Sequence, residues 1–344
     1  MIRLTTVAVA AFCSLLANAA FAQTRSPTVE AIEKRGALLC PSNNGPNLGF
    51  MEVGDNGTWK GFDIDMCRAI AVAILGSPDK TKFIPLSMAQ RWPALNSGEV
   101  DIIIKTTDAT MTRNTELGFQ FSLPYIYGTF NVMAHAELKA KAVKDLAGGT
   151  ICTSAGTNNA RYMEEFAKSR NFQVKVLTFD KREEEIAGYA SNRCDGYLQW
   201  GPTLAAARVS LKDPKAHVIL PEVLAVGPQV MLMRRGDELF VNVVNWVLQI
   251  LWTAEQMGIT QANVDSFRAN PTTPAMQRLL GVTPGLGKRL GLADDTWGYK
   301  VIKAMGNFGE IWDRNLGANS PYKLERGMNA LWKNGGQFTP YIID

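Results

Sequence analysis

The first third of the chain alternates between short continuous apolar runs and longer runs in which apolar residues recur at helical spacing. The continuous runs predict buried strands at 37–40, 82–86 and 100–104. The helical spacing predicts helices at 28–35, 61–74 and 91–96, and glycines at 36 and 76 follow the first two. This alternation is typical of a largely parallel sheet with helices on its faces.

A second alternation follows, with strands predicted at 149–152, 174–179, 194–198 and 218–220. The helices between them are predicted to run from about 159 to 166, from 183 to 191 and from 204 to 211. Extended apolar stretches near 127–135 and 227–234 bound this unit, so we expect the chain to cross from one lobe to another and return.

We therefore predict an α/β protein with two lobes joined by two crossover strands. Residues 23–130 and 232–344 are expected to form lobe 1, and residues 131–231 to form lobe 2. Helices predicted at 240–257, 297–312 and 322–332 give lobe 1 a C-terminal helical extension.

The N-terminus has the pattern of a signal peptide. Arg3 precedes a mostly apolar stretch at 4–16 that is too short to span a bilayer comfortably. Ala20-Phe21-Ala22 has the small-x-small pattern of a cleavage site, so residues 1–22 are expected to be removed. The mature chain is then an exported, soluble protein that begins at Gln23.

Four cysteines remain after this removal, and an even number in an exported chain predicts two disulfide bonds. Three pairings are possible. The pairs nearest in sequence are Cys40–Cys67 and Cys152–Cys194, and each would lie within one lobe. Zinc needs closely spaced ligand pairs, and the sequence has no C-x-x-C motif, so we expect no metal.

The charge of the chain does not point to a nucleic acid. The formal net charge is +4, and removal of Arg3 with the leader leaves +3. The sequence has no basic run and no interleaving of basic and aromatic residues. An apolar fraction of 46% predicts a folded core, and roughly 320 mature residues predict about two globular units.

The segment VDIIIKTTDATMTR, residues 100–113, carries the clearest chemical signal. Its apolar run opens into a loop with several hydroxyls, one acid and a terminal arginine: Thr106, Thr107, Thr110, Thr112, Asp108 and Arg113. Ligands of open α/β sheets bind just past the carboxyl ends of strands. Because a guanidinium donates two parallel N–H bonds to a carboxylate, the loop predicts a site for a small carboxylic acid. The alternative is a polar loop whose arginine pairs with a surface acid.

Several motifs, in order, resemble the family 3 extracellular solute-binding proteins, the periplasmic receptors of polar amino acid ABC importers. They are GFDIDMCRAIA at 61–71, NSGEVDIII, LPYIYG, ICTSAGT and RCDGY. The tail, with ANVDSFRANP, YKVIKAMGNFGEIWDRNLG and SPYKLERGMNALWKNGG, resembles the general L-amino-acid-binding subgroup. The resemblance covers nearly the whole mature chain.

The resemblance implies a two-lobed clamshell, a type II periplasmic binding protein. It would be a monomer that closes on one ligand without a cofactor or hydrolysis and delivers it to an inner-membrane ABC permease. It also implies that Arg113 holds the α-carboxylate of the ligand and that Thr107 assists. Backbone amides at Gly156, Thr157 and Asn158 would assist from the other lobe, because the start of a helix attracts anions.

The chain departs from the family pattern where the ligand's ammonium would be held. Trp200 stands where the family has Asp, and a buried ammonium without a counter-charge is costly. One hypothesis is that the ligand lacks a free α-ammonium and that Trp200 stacks on it or faces a quaternary ammonium. A second is that Asp108 supplies the counter-charge. A third is that Asp108 caps a turn or pairs with Lys105 and that Trp200 only fills space.

Two further positions bear on the shape of the pocket. Ala109 replaces the tryptophan usual in the subgroup, which could enlarge the pocket near Arg113. Phe50 could pack on the ligand or in the core.

Two other classes of protein would use the same fold. A dehydratase-like enzyme would need an acid or base aimed at its substrate. No histidine falls in the predicted cleft, and the acids worth noting near it are Asp108 and Glu222. A ligand-sensing accessory protein would need the same clamshell as a transport receptor.

Overall fold

A computed structural model describes residues 25–54 and 56–344, so the predicted signal peptide lies outside the described residues. The strands, numbered in chain order, are β1 (Leu38–Asn43), β2 (Glu52–Val53), β3 (Trp59–Lys60), β4 (Thr81–Leu86), β5 (Phe119–Phe121), β6 (Ile126–His135), β7 (Thr150–Ser154), β8 (Lys175–Phe179), β9 (Gly196–Trp200), β10 (His217–Ile219), β11 (Ala225–Gln229) and β12 (Leu232–Arg234).

The helices of the first half are α1 (Pro27–Arg35), α2 (Phe62–Leu75), α3 (Arg91–Ser97), α4 (Met111–Thr115), α5 (Asn159–Ser169), α6 (Arg182–Ala190) and α7 (Gly201–Ser210). Those of the second half are α8 (Glu238–Met257), α9 (Val264–Ala269), α10 (Pro274–Leu279), α11 (Leu286–Arg289), α12 (Trp297–Met305) and α13 (Phe308–Asn315).

Lobe 1 is built around the parallel pair of β1 and β4, in register from Leu38 opposite Thr81 to Asn43 opposite Leu86. The strand predicted at 100–104 is wrong as a continuous strand, although the segment is buried. It forms an isolated bridge between Ile103 and Leu232, and the Asp101 N–H donates to Leu39 O at 2.9 Å. The segment is thus joined to β12 on one side and to β1 on the other, but it forms no continuous strand pairing with either.

Lobe 2 contains one six-stranded sheet in the order β10-β6-β9-β7-β8, with β11 also paired to β6. β7 is parallel to β8 and β9, whereas β6 is antiparallel to β9 and β11. The chain returns through β12, which pairs antiparallel with β5 of lobe 1. The two-lobed α/β fold is thus confirmed. The predicted lobe limits stay predictions, and they fall within β6 and between β11 and β12.

Helix α2 anchors the core of lobe 1, and eleven of its fourteen residues are buried. The ring of Phe62 packs against Phe50, Tyr125 and Phe308, at centroid distances of 6.3, 6.1 and 5.6 Å. This aromatic cluster connects the start of α2 to the C-terminal helices.

The C-terminal region differs from the sequence expectation at two places. The single helix predicted at 297–312 is two helices, because Gly306 has a φ of +76° and Asn307 begins α13 with a capping box to Glu310. The helix predicted at 322–332 is wrong, since this stretch has only a short 3₁₀ turn at Gly327–Asn329 and the start of another at Trp332–Asn334. Asn329 is instead used in a tertiary contact, with hydrogen bonds to Tyr127 N and O at 2.6 and 3.0 Å.

Each lobe contains one disulfide bond. Cys40 is joined to Cys67, which connects β1 to α2 across a Cα–Cα distance of 6.6 Å. Cys152 is joined to Cys194, which connects β7 to the residues before β9 across 5.7 Å. Within residues 25–54 and 56–344, no helix is long and apolar enough to cross a membrane.

Candidate functional site

A small cavity lies between the two lobes. Both lobes line it, and the lining residues are Met88, Arg91, Thr106, Asp108, Phe130, Thr157, Asn159, Arg182, Gln199, Trp200 and Thr203. Most of them lie at or just past the carboxyl ends of strands β4, β7, β8 and β9, where ligands of α/β sheets bind.

Asp63 of α2 fixes the loop that follows the buried segment 100–104 by a hydrogen bond to its backbone. The N–H of Thr106, which has a φ of +34°, donates to Asp63 at 3.0 Å, and the Tyr125 hydroxyl donates to the other Asp63 oxygen at 2.8 Å. Burial raises the pKa of Asp63 to about 7. Thr107 is buried, and its hydroxyl donates to Lys105 O at 2.8 Å. Contacts within the protein therefore hold this loop in place without a ligand.

The buried side chain of Lys105 joins the ends of β1 and β4 by hydrogen bonds. Its ammonium donates to Ser42 O at 2.8 Å and Leu86 O at 3.0 Å, and also to the side chain of Asn43. Burial lowers the pKa of Lys105 well below its usual value. The hypothesised pairing of Asp108 with Lys105 is therefore replaced by a different arrangement.

Asp108 pairs with Arg113 and also joins the two lobes. Arg113 Nη1 donates to Asp108 O at 2.6 Å and to Asp108 Oδ1. Asp108 Oδ2 accepts from Asn158 Nδ2 at 3.1 Å and from the Tyr162 hydroxyl at 2.7 Å, both in lobe 2. Burial alone would raise the pKa of Asp108, but the Arg113 charge and these hydrogen bonds hold it below its usual value.

The guanidinium of Arg113 is almost completely enclosed. Only 4% of the residue is exposed, and its guanidinium carbon lies 4.9 Å from the centre of the Trp92 ring. The adjacent Ala109 donates its N–H to Pro228 O at 3.2 Å, so the 108–109 loop lies beside β11. The sequence alternative in which Arg113 pairs with an acid is thus realised, with a buried acid rather than a surface one.

The loop between β7 and α5 brings lobe 2 against lobe 1. Gly156 has a φ of +69°, and a Cβ there would lie 2.8 Å from Ala89 N. The Thr157 hydroxyl donates to Ser154 O at 2.9 Å and accepts from Asn159 N at 3.3 Å. The predicted residues 156–158 therefore lie at the interface of the lobes, and Thr157 lines the cavity.

Trp200 ends β9 and forms an aromatic wall of the cavity. Its ring covers Gly128, where a Cβ would lie 2.4 Å from Trp200 Nε1. It meets Phe50 edge-on at 5.6 Å, and Phe50 is itself fully buried against the lobe 1 core. Trp200 Nε1 is buried and has no hydrogen-bond partner among the described residues. Phe50 thus packs in the core, and its contact with a ligand stays a prediction.

Arg91 is a cationic residue of the cavity that the sequence reasoning missed. It begins α3 and is 1% exposed, with Nη1 at 3.1 Å from Met88 Sδ and its guanidinium carbon 4.1 Å from the centre of the Trp92 ring. Within the described residues Arg91 forms no ion pair, and its Nε has no hydrogen-bond partner. Burial, and next the Arg113 charge, lower its pKa well below the usual value.

Arg182 is the second missed cation, and it enters the cavity from lobe 2. It begins α6, with Nη1 at 3.3 Å from the Tyr197 hydroxyl and 3.7 Å from Glu185 Oε2. Burial would lower the pKa of Arg182, but the Glu185 charge raises it overall. Both arginines follow a strand and begin a helix. A residue in this position is a candidate for ligand binding, so the sequence contained a signal that predicts them.

A second small cavity shares Met88 and Arg182 with the first. Its other lining residues are Asn43, Asn44, Gly45, Leu86, Ser87, Ser154, Asp180 and Lys181. Arg182 therefore faces both cavities.

The model of the bacterial extracellular solute-binding proteins, family 3, matches residues 40–262. The chain belongs to this family. The predicted solute-binding protein, rather than an enzyme, is thereby confirmed.

Two curated relatives are similar to this chain over nearly their whole length. The putative amino-acid ABC transporter-binding protein YhdW of Escherichia coli K12 is 37% identical over 340 residues, 98% of each chain. The general L-amino acid-binding periplasmic protein AapJ of Rhizobium johnstonii is 38% identical, covering 97% of this chain and 96% of AapJ.

A solved structure is similar in the same way. The ABC transporter periplasmic binding protein from Brucella ovis with glutathione bound is 39% identical. It has a TM-score of 0.87 and covers 92% of this chain and 98% of its own.

Proposed function

We propose that this protein is the periplasmic receptor of an ABC importer and that it captures a small carboxylate of the amino acid type between its lobes. The names of YhdW and AapJ support an amino-acid ABC transporter, and that of AapJ supports the periplasm. The predicted signal peptide supports export to that compartment. The ligand would then pass to an inner-membrane permease from a monomeric receptor.

The observation that carries this proposal is the pair of buried arginines on one cavity. Arg91 comes from lobe 1 and Arg182 from lobe 2. A buried charge without a partner is costly, and a carboxylate that accepts two N–H bonds from a guanidinium would remove much of that cost. Because Arg182 already has Glu185 nearby, we assign Arg91 to a carboxylate of the ligand and Arg182 to a second acceptor group.

The resemblance implies that Arg113 holds the α-carboxylate, assisted by Thr107 and by the amides of 156–158. That assignment stays a prediction. In the structure Asp108 accepts from Arg113 Nη1, so a ligand carboxylate would compete with Asp108 for this guanidinium.

The surroundings of Trp200 favour a ligand without a free ammonium at this place. Asp108 is the acid that lines the cavity, and both of its carboxylate oxygens already accept hydrogen bonds. The Brucella ovis structure contains glutathione, a peptide with two carboxylates, two amide groups and one free ammonium. We therefore propose a peptide-like dicarboxylate as the ligand, with its free ammonium lying away from Trp200 and Asp108.

The test compares ligands by thermal shift and titration calorimetry. Glutathione, glutamate and glutamine are measured beside a glutathione diester in which both carboxylates are masked. Binding to the folded state alone raises Tm, so glutathione is expected to raise it and the diester is not. Equal shifts with glutathione and its diester would overturn the carboxylate assignment.

Variants of the cavity arginine locate the contact. Arg91→Gln is expected to raise the Kd by at least about 30-fold, because the buried ion pair with the ligand is lost. Arg91→Lys keeps the positive charge but loses the two parallel N–H donors of the guanidinium. Its Kd should therefore lie between those of the wild type and Arg91→Gln. The matched control is Arg161→Gln, since Arg161 is exposed and pairs with Glu165 on the surface of α5. If both arginine variants keep the original Kd, Arg91 does not bind the ligand.

A further inference from the structure

Asp108 has contacts that differ from those of an ordinary loop acid. One of its oxygens faces Arg113 of lobe 1, and the other accepts from Asn158 and Tyr162 of lobe 2. Asp108 is 7% exposed and Arg113 is 4% exposed, whereas Asn158 and Tyr162 are half-buried. The bonds of Asp108 to Asn158 and Tyr162 cross between the lobes.

The donors around Asp108 are those that a free carboxylate would require. A guanidinium supplies the opposite charge, and an amide N–H and a phenol O–H supply neutral donors. They come from both lobes, so whichever carboxylate lies among them draws the lobes together. The carboxylate found there belongs to the chain itself.

We propose that Arg113, Asn158 and Tyr162 form a carboxylate-binding subsite that Asp108 occupies from within the chain, and that this occupation closes the lobes. Asp108 is therefore a specificity-determining residue. A ligand that offers a carboxylate only to Arg113 must compete with it, whereas a ligand held by Arg91 need not. The inference rests on the proposed function in placing the ligand in the same cleft.

The close approach of the lobes beside this subsite agrees with closure. Gly156 of lobe 2 lies so near Ala89 of lobe 1 that a Cβ would come within 2.8 Å of a backbone nitrogen. Phe50 and Trp200 also meet across the lobes. The bonds of Asp108 thus act on two surfaces that are already in contact.

The experiment removes the internal carboxylate and supplies an external one. In Asp108→Ala the subsite is vacated, and acetate is the probe. We expect acetate, at tenfold excess over its Kd and with saturation, to raise the Tm of Asp108→Ala by about 2 °C more than the Tm of the wild type, in which Arg91 is the cavity arginine open to acetate. Small-angle scattering should show a larger radius of gyration for Asp108→Ala, which acetate reverses.

Two controls separate the subsite from a general loss of stability. Asp195→Ala removes a carboxylate that accepts from Thr150 N at 2.7 Å within lobe 2, so it should lower Tm without creating a response to acetate. The double variant Asn158→Ala/Tyr162→Phe keeps the pair of Asp108 and Arg113 but loses the lobe 2 donors. It should have the larger radius of gyration and a response to acetate no greater than that of the wild type.

The outcomes decide between occupation and simple packing. An Asp108→Ala protein that ignores acetate, or a wild type that responds equally, overturns the subsite. If Asp108→Ala does not fold, an unchanged radius of gyration in Asn158→Ala/Tyr162→Phe overturns the closure. Because the probe is acetate, a wrong assignment of the natural ligand leaves these readouts intact.

Discussion

Replacement of Asp108 by Asn should destabilise the chain strongly, because it leaves Arg113 buried without its counter-charge. Loss of one partner of a buried ion pair costs about 3–5 kcal/mol. Asn keeps the shape of Asp and can still accept from Tyr162, and the Trp92 ring lies 4.9 Å from the Arg113 guanidinium carbon. We therefore expect the lower end, about 3 kcal/mol in the free energy of unfolding.

The assay is urea denaturation at pH 7 of Asp108→Asn, Arg113→Met and the double variant. The double variant has no unpaired charge. Its loss in the free energy of unfolding should therefore be smaller than the sum of the losses of the two single variants, by an interaction energy of at least about 1 kcal/mol. A coupling within about 0.3 kcal/mol of zero would refute the claim that the two side chains act as a buried pair.

The pH dependence provides an independent check on the same pair. The pKa of Asp108 in the folded chain lies below its usual value of about 4. Its stabilising contribution is therefore complete above that usual value and is lost as the pH falls through the folded pKa. The difference between wild type and Asp108→Asn should be largest near neutral pH and should shrink in acid.

Two other substitutions test the frame of the site. Burial raises the pKa of Asp63 to about 7, so its neutral form contributes stability that is complete below about pH 4 and is lost as the pH rises through 7. Asp63→Asn should flatten the profile of Tm against pH over that interval, and an unchanged slope would contradict the burial of an acid there. Gly128→Ala places a Cβ 2.4 Å from Trp200 Nε1, so it should cost about 1–3 kcal/mol and push the ring into the cavity. The stability should recover when Trp200→Leu is added, as measured by denaturation, and no recovery would exclude the Trp200 contact as the cause.

Local sequence patterns were sufficient for much of the fold. Helix α1 lies between Ser26, whose side chain caps its first turn, and Gly36, which has a φ of +72°. The apolar periodicity at 61–74 predicts α2, and the crossover stretches predict β6 and β11–β12. These features depend on neighbours along the chain, so the sequence alone shows them.

The C-terminal expectation failed for a reason that local patterns do not contain. The apolar spacing at 322–332 is helical, but Asn329 is used to hydrogen-bond both backbone groups of Tyr127 in β6. A tertiary contact of this kind outweighs a weak helical preference.

The sequence by itself determined the two-lobe α/β organisation, the even set of cysteines and the resemblance to the solute-binding family, and it predicted a carboxylate site in the 100–113 loop. Only the tertiary structure decided that Asp108 pairs with Arg113 and reaches Asn158 and Tyr162. It alone brought Arg91 and Arg182, which are 91 residues apart in sequence, to one cavity. The physical reason is that the carboxyl ends of strands from separate lobes meet only when the lobes close, so charges distant in sequence become neighbours there.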